Sequence, residues 1–396
     1  MNLLTDSSHR EFLLDEARRS LRFFDASLRA DGGFDVLDWQ GAPLPRGPQE
    51  LHTTTRMVHS YVLGRAIGHP NADRMIDAGL AYLWNHHRDQ SHGGYLWAVG
   101  GDDSKLAYGH VFVLLAASSA KLAGHPDADR LLADISDILD RHFWEEDHGL
   151  YADEFTRDWQ PFSGYRGMNA NMHGVEAMLA AFEATGDAHW LSRAGRVLDF
   201  FTARMAPAHN WRLPEHYTAD WQVDPAYSGN PMFRPAGTTP GHSFELARLC
   251  LHHWDLLGRP ATDAPTRARA IIERAMADGW RADGGILYTL ATSGQPAIRD
   301  RYWWPVTEAI GVYAHLLKLS PTEEDRQAYD QLWTFAQTHF IDADNGGWFP
   351  EIDDTGQPTT TQFHGKPDIY HALQADLYPL TPGLSRPIEG LANLTT

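Results

Sequence analysis

Six short stretches of this 396-residue chain place chemically capable side chains at the start of a helical pattern. They are His52-Thr53-Thr54-Thr55-Arg56, Ala107-Tyr108-Gly109-His110, Asn169-Ala170-Asn171-Met172-His173-Gly174-Val175-Glu176, Pro240-Gly241-His242-Ser243-Phe244-Glu245, Tyr302-Trp303-Trp304-Pro305-Val306-Thr307-Glu308 and Asp368-Ile369-Tyr370-His371. Groups that are expensive to bury stand beside strongly apolar runs in all six, so they are expected to share one cavity. Such a cavity suits a ligand with many hydroxyls. Rings such as Trp304 can stack on a sugar face, and helix N-termini add positive potential for a developing oxyanion.

Each stretch alone has a plainer reading. A histidine at a helix start is commonly a cap or a satisfied core residue, and Arg56 could be a buried ion-pair partner. Trp303 reads as core, and Glu176 and Glu308 read as side chains that hold their neighbours. His69, His125, His86, His87, His252 and His253 read as structural or exposed. The common placement of all six stretches is what favours a shared functional cavity.

Competing chemistries lack their parts. There is no Gly-x-Gly-x-x-Gly after a strand, no P-loop and no Gly-x-Ser-x-Gly elbow. The His-x-x-Glu pairs His173/Glu176 and His242/Glu245 put both groups on one helical face, as metal ligands do in helical bundles. The plainer reading, which we adopt, is that each glutamate orients its own histidine or binds a hydroxyl, so no metal and no cofactor are expected. A glycosidase needs two opposed carboxylates. Asp153, Glu154, Glu215 and Asp368 are available, but none stands at a helix start beside a partner.

The elements that position these groups repeat. Gly68-His69-Pro70-Asn71-Ala72-Asp73-Arg74 and Gly124-His125-Pro126-Asp127-Ala128-Asp129-Arg130 are nearly identical, each ending one helix on glycine and opening the next with proline and acidic residues. Looser copies at 186–187, 258–260 and 320–324 give a period of roughly 60 residues. In phase with them run glycine turns followed by an aromatic residue, at Gly32-Gly33-Phe34, Gly93-Gly94-Tyr95, Gly149-Leu150-Tyr151, Gly284-Gly285 before Tyr288, and Gly346-Gly347-Trp348; the copy near Trp211 is degenerate. Twelve helical patterns lie between, at about 9–28, 52–67, 71–87, 106–123, 127–143, 169–185, 187–205, 240–257, 264–279, 303–318, 322–339 and 367–377. Ser8 and Glu11 form an expected capping box for the first. The even-numbered helices are the more apolar and therefore the inner ones. Six outer–inner hairpins closed on themselves make an all-α (α/α)6 barrel with short hairpin-like loops. An open solenoid would need polar capping repeats, which are missing. We assign 1–380 to one barrel domain and 381–396 to a C-terminal tail.

Composition narrows the partners. The net charge of −19 with no basic run argues against nucleic acid. One cysteine, Cys250, permits no internal disulfide and no cysteine zinc site. Neither a signal peptide nor a membrane span is readable, so a cytoplasmic location and no membrane partner are expected. In that setting the sequon Asn393-Leu394-Thr395 carries no meaning.

The strings Asn-x-x-His at 169–173, Pro-Gly-His-Ser-Phe-Glu-Leu-Ala-Arg at 240–248, Trp-Trp-Pro-x-x-Glu-Ala at 303–309 and Lys-Pro-Asp-Ile-Tyr-His-Ala-Leu-Gln at 366–374 resemble the N-acylglucosamine 2-epimerase superfamily, over nearly the whole chain. The resemblance is greatest to its aldose–ketose isomerase branch, mannose and sulfoquinovose isomerases. It implies an (α/α)6 barrel, a metal-independent reaction and a monosaccharide substrate. It also implies that His242 and His371 are the catalytic acid/base pair, and that Arg56, Tyr108, Asn169, His173, Glu245 and Trp304 contact the sugar; Glu308 is taken as a further substrate-binding candidate. Imidazole suits this chemistry, since its pKa lies near neutrality. The expected reaction is mannose–fructose interconversion through a cis-enediol. His242 would open the ring, His371 would move the proton, and Glu245 would support His242. The alternatives are a 2-epimerase, a sulfoquinovose isomerase using Arg234 or Lys366 for the sulfonate, a hydrolase or lyase on the same barrel, and a barrel that only binds carbohydrate or protein. Homo-oligomers are compatible with all of these.

Overall fold

The computed structural model describes residues 3–394. Outer helices α1 (Ser7–Phe24), α3 (Ala72–Tyr82), α5 (Ala128–Ile138), α7 (Ala188–Leu198), α9 (Ala264–Gly279) and α11 (Glu323–His339) alternate with inner helices α2 (Leu51–Ala66), α4 (Ala107–Leu122), α6 (Met168–Thr185), α8 (Pro240–Leu256), α10 (Trp303–Leu319) and α12 (Tyr370–Leu377). Each inner helix packs on the next inner one, and α12 returns to α2, so the inner ring is closed. The outer helices pack on it, and α1 joins α12 across the seam. The chain forms an (α/α)6 barrel, as its helical patterns imply.

Local chemistry sets the helix ends. Gly68 and Gly124 end inner helices with φ of 78° and 75°, a conformation glycine adopts without strain. The capping box expected at Ser8 and Glu11 is not formed. The Asp6 carboxylate accepts from the His9 amide at 2.9 Å and starts α1 at Ser7, which leaves Ser8 inside the first turn. The reciprocal box occurs instead at α11, between Thr322 and Asp325. Three outer helices share a feature that periodicity does not show. α3, α5 and α7 each run on into a π-helical stretch, Leu83–His87, Leu139–Phe143 and Asp199–Met205.

The loops before successive inner helices are laced to one another around the mouth of the ring. Antiparallel pairs join 49–50 to 98–99, 105–106 to 154–155, and 166–167 to 216–217. Thr238 bridges Leu290, 301–302 pairs with 351–352, and Leu37 bridges Lys366 to complete the circle. The loops before α10 and α12 together form strands β1 (Leu287–Leu290), β2 (Pro296–Tyr302) and β3 (Glu351–Ile352) in the order β3-β2-β1. The lacing satisfies amides that a helix leaves unpaired at its start. The first-residue amides of α2, α4, α6 and α10 donate to Trp97 (2.7 Å), Asp153 (2.8 Å), Glu215 (3.0 Å) and Pro350 (3.2 Å). The same step in four repeats fixes where Asp153 and Glu215 stand.

At the other end, residues 381–394 do not leave the barrel. Leu384 and Leu391 are buried, and helix α13 (Pro387–Ala392) packs on α2. No helix among the described residues is long and apolar enough to cross a membrane.

Candidate active site

The N-terminal turns of the inner helices open on one cavity of about 130 Å³. Its wall includes Arg56, Tyr108, Asn169, His173, His242, Glu245, Trp304 and His371, so eight of the nine residues expected there meet at one place. Trp303, read as core, is 5% exposed and also reaches the wall. Met232, Phe233, Tyr288 and Phe363 complete it from the loops; they lie outside the repeated helix starts, and no spacing marked them. Glu308 is absent from the wall.

His242 lies at the start of α8, where Thr239 and Pro240 turn the chain into the helix. Its Nδ1 bonds the Glu215 carboxylate at 3.0 and 3.1 Å. Glu245, expected to support His242, does not touch it; three residues along a helix place its carboxylate deeper, against His173. Glu215 was only one of several spare carboxylates in the sequence. The Met168 amide holds its carbonyl at 3.0 Å, and the equivalent Asp153 in the previous repeat was the signal that could have located it.

His371 stands in the first turn of α12, with Nδ1 2.8 Å from Glu308 Oε1. Glu308 therefore lies behind a wall residue instead of forming the wall, because helix α10 sets it one turn below Trp304. A carboxylate only accepts, so in their neutral forms both histidines carry the Nδ1 proton and present the Nε2 lone pair. Neither Nε2 has a protein partner among the described residues, and both rings line the cavity. The Trp304 indole lies against both, its centroid 5.0 Å from His242 and 5.8 Å from His371.

Arg56 donates to the Tyr108 hydroxyl at 2.9 Å and to Asp368 at 3.3 Å, and its guanidinium lies over Phe112 and Tyr370. The ion-pair reading of Arg56 and its place on the cavity wall thus hold together. Asn169 keeps a buried Oδ1 without a protein partner, whereas Asn171 is spent on Tyr151 and Gly167.

At the deep end of the wall, burial lowers the His173 pKa to about 3, so this ring is neutral. Its Nδ1 is 3.4 Å from Glu245 and 3.7 Å from Glu176. Burial, reinforced by Glu308 and Glu176, pushes the Glu245 carboxyl well above the carboxylate range. Both of its oxygens are buried without a hydrogen-bond partner. Burial would also raise Glu308, but Arg248 and the bond from His371 hold it below its ordinary value. Two groups, His173/Glu176/Glu245 and Glu245/Glu308/His371, have ligand-like spacing. Protein partners already engage two of these carboxylates: Tyr370 and Gln374 bind Glu176, and His371 and Arg248 bind Glu308.

Neither cation suggested for a sulfonate lines the cavity. Arg234 pairs with Glu154 at 2.8 Å over the Tyr165 ring, and Lys366 is buried on Asp342 at 2.7 Å. The carboxylates considered for glycoside hydrolysis are engaged too: Asp153 accepts from the Gly167 amide, Glu215 serves His242, and Asp368 serves Arg56.

Residues 32–375 match the model of the N-acylglucosamine 2-epimerase family. The chain is 41% identical over 389 residues to a D-mannose isomerase of Thermobifida fusca, covering 95% of both chains. It is 38% identical over 403 residues to a D-mannose isomerase of Pseudomonas cannabina pv. alisalensis, covering 98% of this chain and 97% of that one. A crystal structure of a D-mannose isomerase superposes with a TM-score of 0.87 at 31% identity, over 93% of this chain and 97% of the other. The chain belongs to the N-acylglucosamine 2-epimerase family.

Proposed function

We propose that this protein is an aldose–ketose isomerase that interconverts D-mannose and D-fructose by histidine proton transfer, without a metal. The observation that carries the reading is the pair His242 and His371. Each is held at Nδ1 by its own buried carboxylate, and each has Nε2 unpartnered beside one small cavity. The likeness to D-mannose isomerases supports the same reaction. His242 assists opening of the sugar ring. His371 Nε2 then takes the C2 proton, the bonding pair forms C1=C2, and the carbonyl oxygen O1 becomes the oxyanion of a cis-enediolate. The hydroxyl proton of O2 passes to O1, and the imidazolium returns its proton to C1 as C2=O2 forms, which leaves the ketose. Arg56, Tyr108 and the helix N-termini stabilise the oxygen charge, and Trp304 offers a face for the sugar. Cys250 is a buried free thiol, in keeping with a reducing cytoplasm.

The test is proton NMR of EDTA-treated protein with mannose in D2O, for the wild type and His371→Ala. Fructose should appear with the wild type, and the variant should lose at least ~10² in rate. Glucose appearing first, with deuterium at C2, would replace this reading with 2-epimerisation. No turnover of mannose would end the assignment.

A further inference from the structure

Beneath the cavity, one arginine stands among three buried carboxyl groups. Arg248 lies on α8 in the row His242, Glu245, Arg248, three residues apart and therefore stacked along one face. It is 2% exposed. Its Nε and Nη2 each reach Glu308 Oε2 at 3.4 Å, and Nη2 is 3.5 Å from Gln374 Oε1 and 4.0 Å from Glu176 Oε1. Glu308 uses its other oxygen, Oε1, for His371. Gln374 donates to Glu176 at 3.0 Å, and Tyr370 donates to the same carboxylate. Glu245 alone has no hydrogen bond on either oxygen.

Three carboxylates buried this close cannot all ionise on the strength of Arg248 and of Arg56, which also faces Glu245 but is already paired with Asp368. Arg248 stands against Glu308 and Glu176, so the proton belongs on Glu245. We propose that Arg248 is a positioning residue for the isomerase reaction, fixing which of the three carboxyls carries the proton so that Glu308 stays an anion. This rests on the assignment of His371 as the base. An anionic Glu308 can only accept, so His371 keeps its proton on Nδ1 and its lone pair on Nε2, towards the sugar. With the arginine charge gone, the proton moves to Glu308, which then donates to Nδ1. The His371 proton shifts to Nε2, and the ring can no longer take the C2 proton.

The test is 15N NMR of histidine-labelled enzyme, with signals assigned by His371→Gln, in the wild type, Arg248→Gln and Arg248→Lys. The wild type and Arg248→Lys should show His371 protonated at Nδ1, and Arg248→Gln at Nε2. In turnover of mannose, Arg248→Gln should lose at least ~100-fold in kcat with KM changed less than about threefold, and lysine should restore most of it. An unchanged Nδ1 proton in folded Arg248→Gln would overturn the proposal, whether or not mannose is a substrate. Should Arg248→Gln fail to fold, infrared spectra of the wild type decide instead. A protonated-carboxyl band lost in Glu245→Gln supports the proposal, and one lost in Glu308→Gln sinks it.

Discussion

The histidines of this cavity differ in what stands behind them. His242 and His371 each have a carboxylate hydrogen-bonded at Nδ1, whereas His173 Nδ1 has no hydrogen-bond partner, standing 3.4 Å from Glu245 and 3.7 Å from Glu176. An ionised partner raises the basicity of an imidazole and holds its proton on the bonded nitrogen; a neutral one lends no such basicity. Glu215→Gln keeps an oxygen for the His242 Nδ1–H and removes the charge. We expect kcat for mannose to fall by about 10²-fold while the thermal midpoint stays within a few degrees of the wild type. Equal activity in the two proteins would mean that His242 needs orientation alone. Much of this was readable in the sequence, since all the wall residues at helix starts were marked by their common phase. Glu308 was read as holding a neighbour, and it holds His371, but Glu215 and Arg248 were not legible, because Glu215 reaches His242 from a loop and Arg248 meets Glu308 and Gln374 across three helices. Such contacts have no period.

At the scale of elements, helix ends were legible because glycine, proline and acidic residues act locally, and the twelve barrel helices fall where their patterns lie. The π-helical extensions of α3, α5 and α7 and the lacing of the loops were not. Both depend on hydrogen bonds to residues an unpredictable distance away. The close approach of α8 to α10 gives a test of how tightly the elements set the site. A Cβ on Gly241 would stand 2.3 Å from Trp304 Cζ3, closer than atoms can pack, and 3.1 Å from Pro305 Cβ, a tight contact. Gly241→Ala must therefore push the indole away from α8, where it lies between both imidazoles. The expected result is a folded protein with KM for mannose raised several-fold, and kinetics equal to the wild type would show that α10 yields instead.

At the scale of the molecule, the barrel is closed at both ends by different means: laced loops at the mouth and the C-terminal segment at the floor. Lys318 secures the floor. Its ammonium donates to Tyr378 O at 2.6 Å, Thr381 Oγ1 at 3.0 Å and Gly383 O at 3.1 Å, while His315 bonds Leu384 O at 3.0 Å. Burial lowers the Lys318 pKa from 10.5 to about 7. Between those values the unfolded chain holds a proton that the folded chain has released, so this residue makes stability rise with pH across that window. Chemical denaturation of the wild type and Lys318→Met from pH 7 to 9 should show the wild type gaining on the variant as pH rises. A constant difference would mean that the ammonium stays charged against its three oxygens.

The surface and the cavity also differ in how they treat an arriving molecule. The chain carries a net charge of −19, and the one guanidinium on the cavity wall is already paired with Asp368. A neutral sugar feels nothing of that field, so its encounter rate is set by diffusion and orientation. A phosphorylated sugar meets a net charge of its own sign, and among the described wall residues the arginine is already paired. Discrimination in favour of the uncharged sugar is therefore expected to begin in the solvent, outside the pocket, over roughly a Debye length of 10 Å or more at low ionic strength, and a kcat/KM ratio of mannose to mannose 6-phosphate that does not fall with added salt would show that it does not.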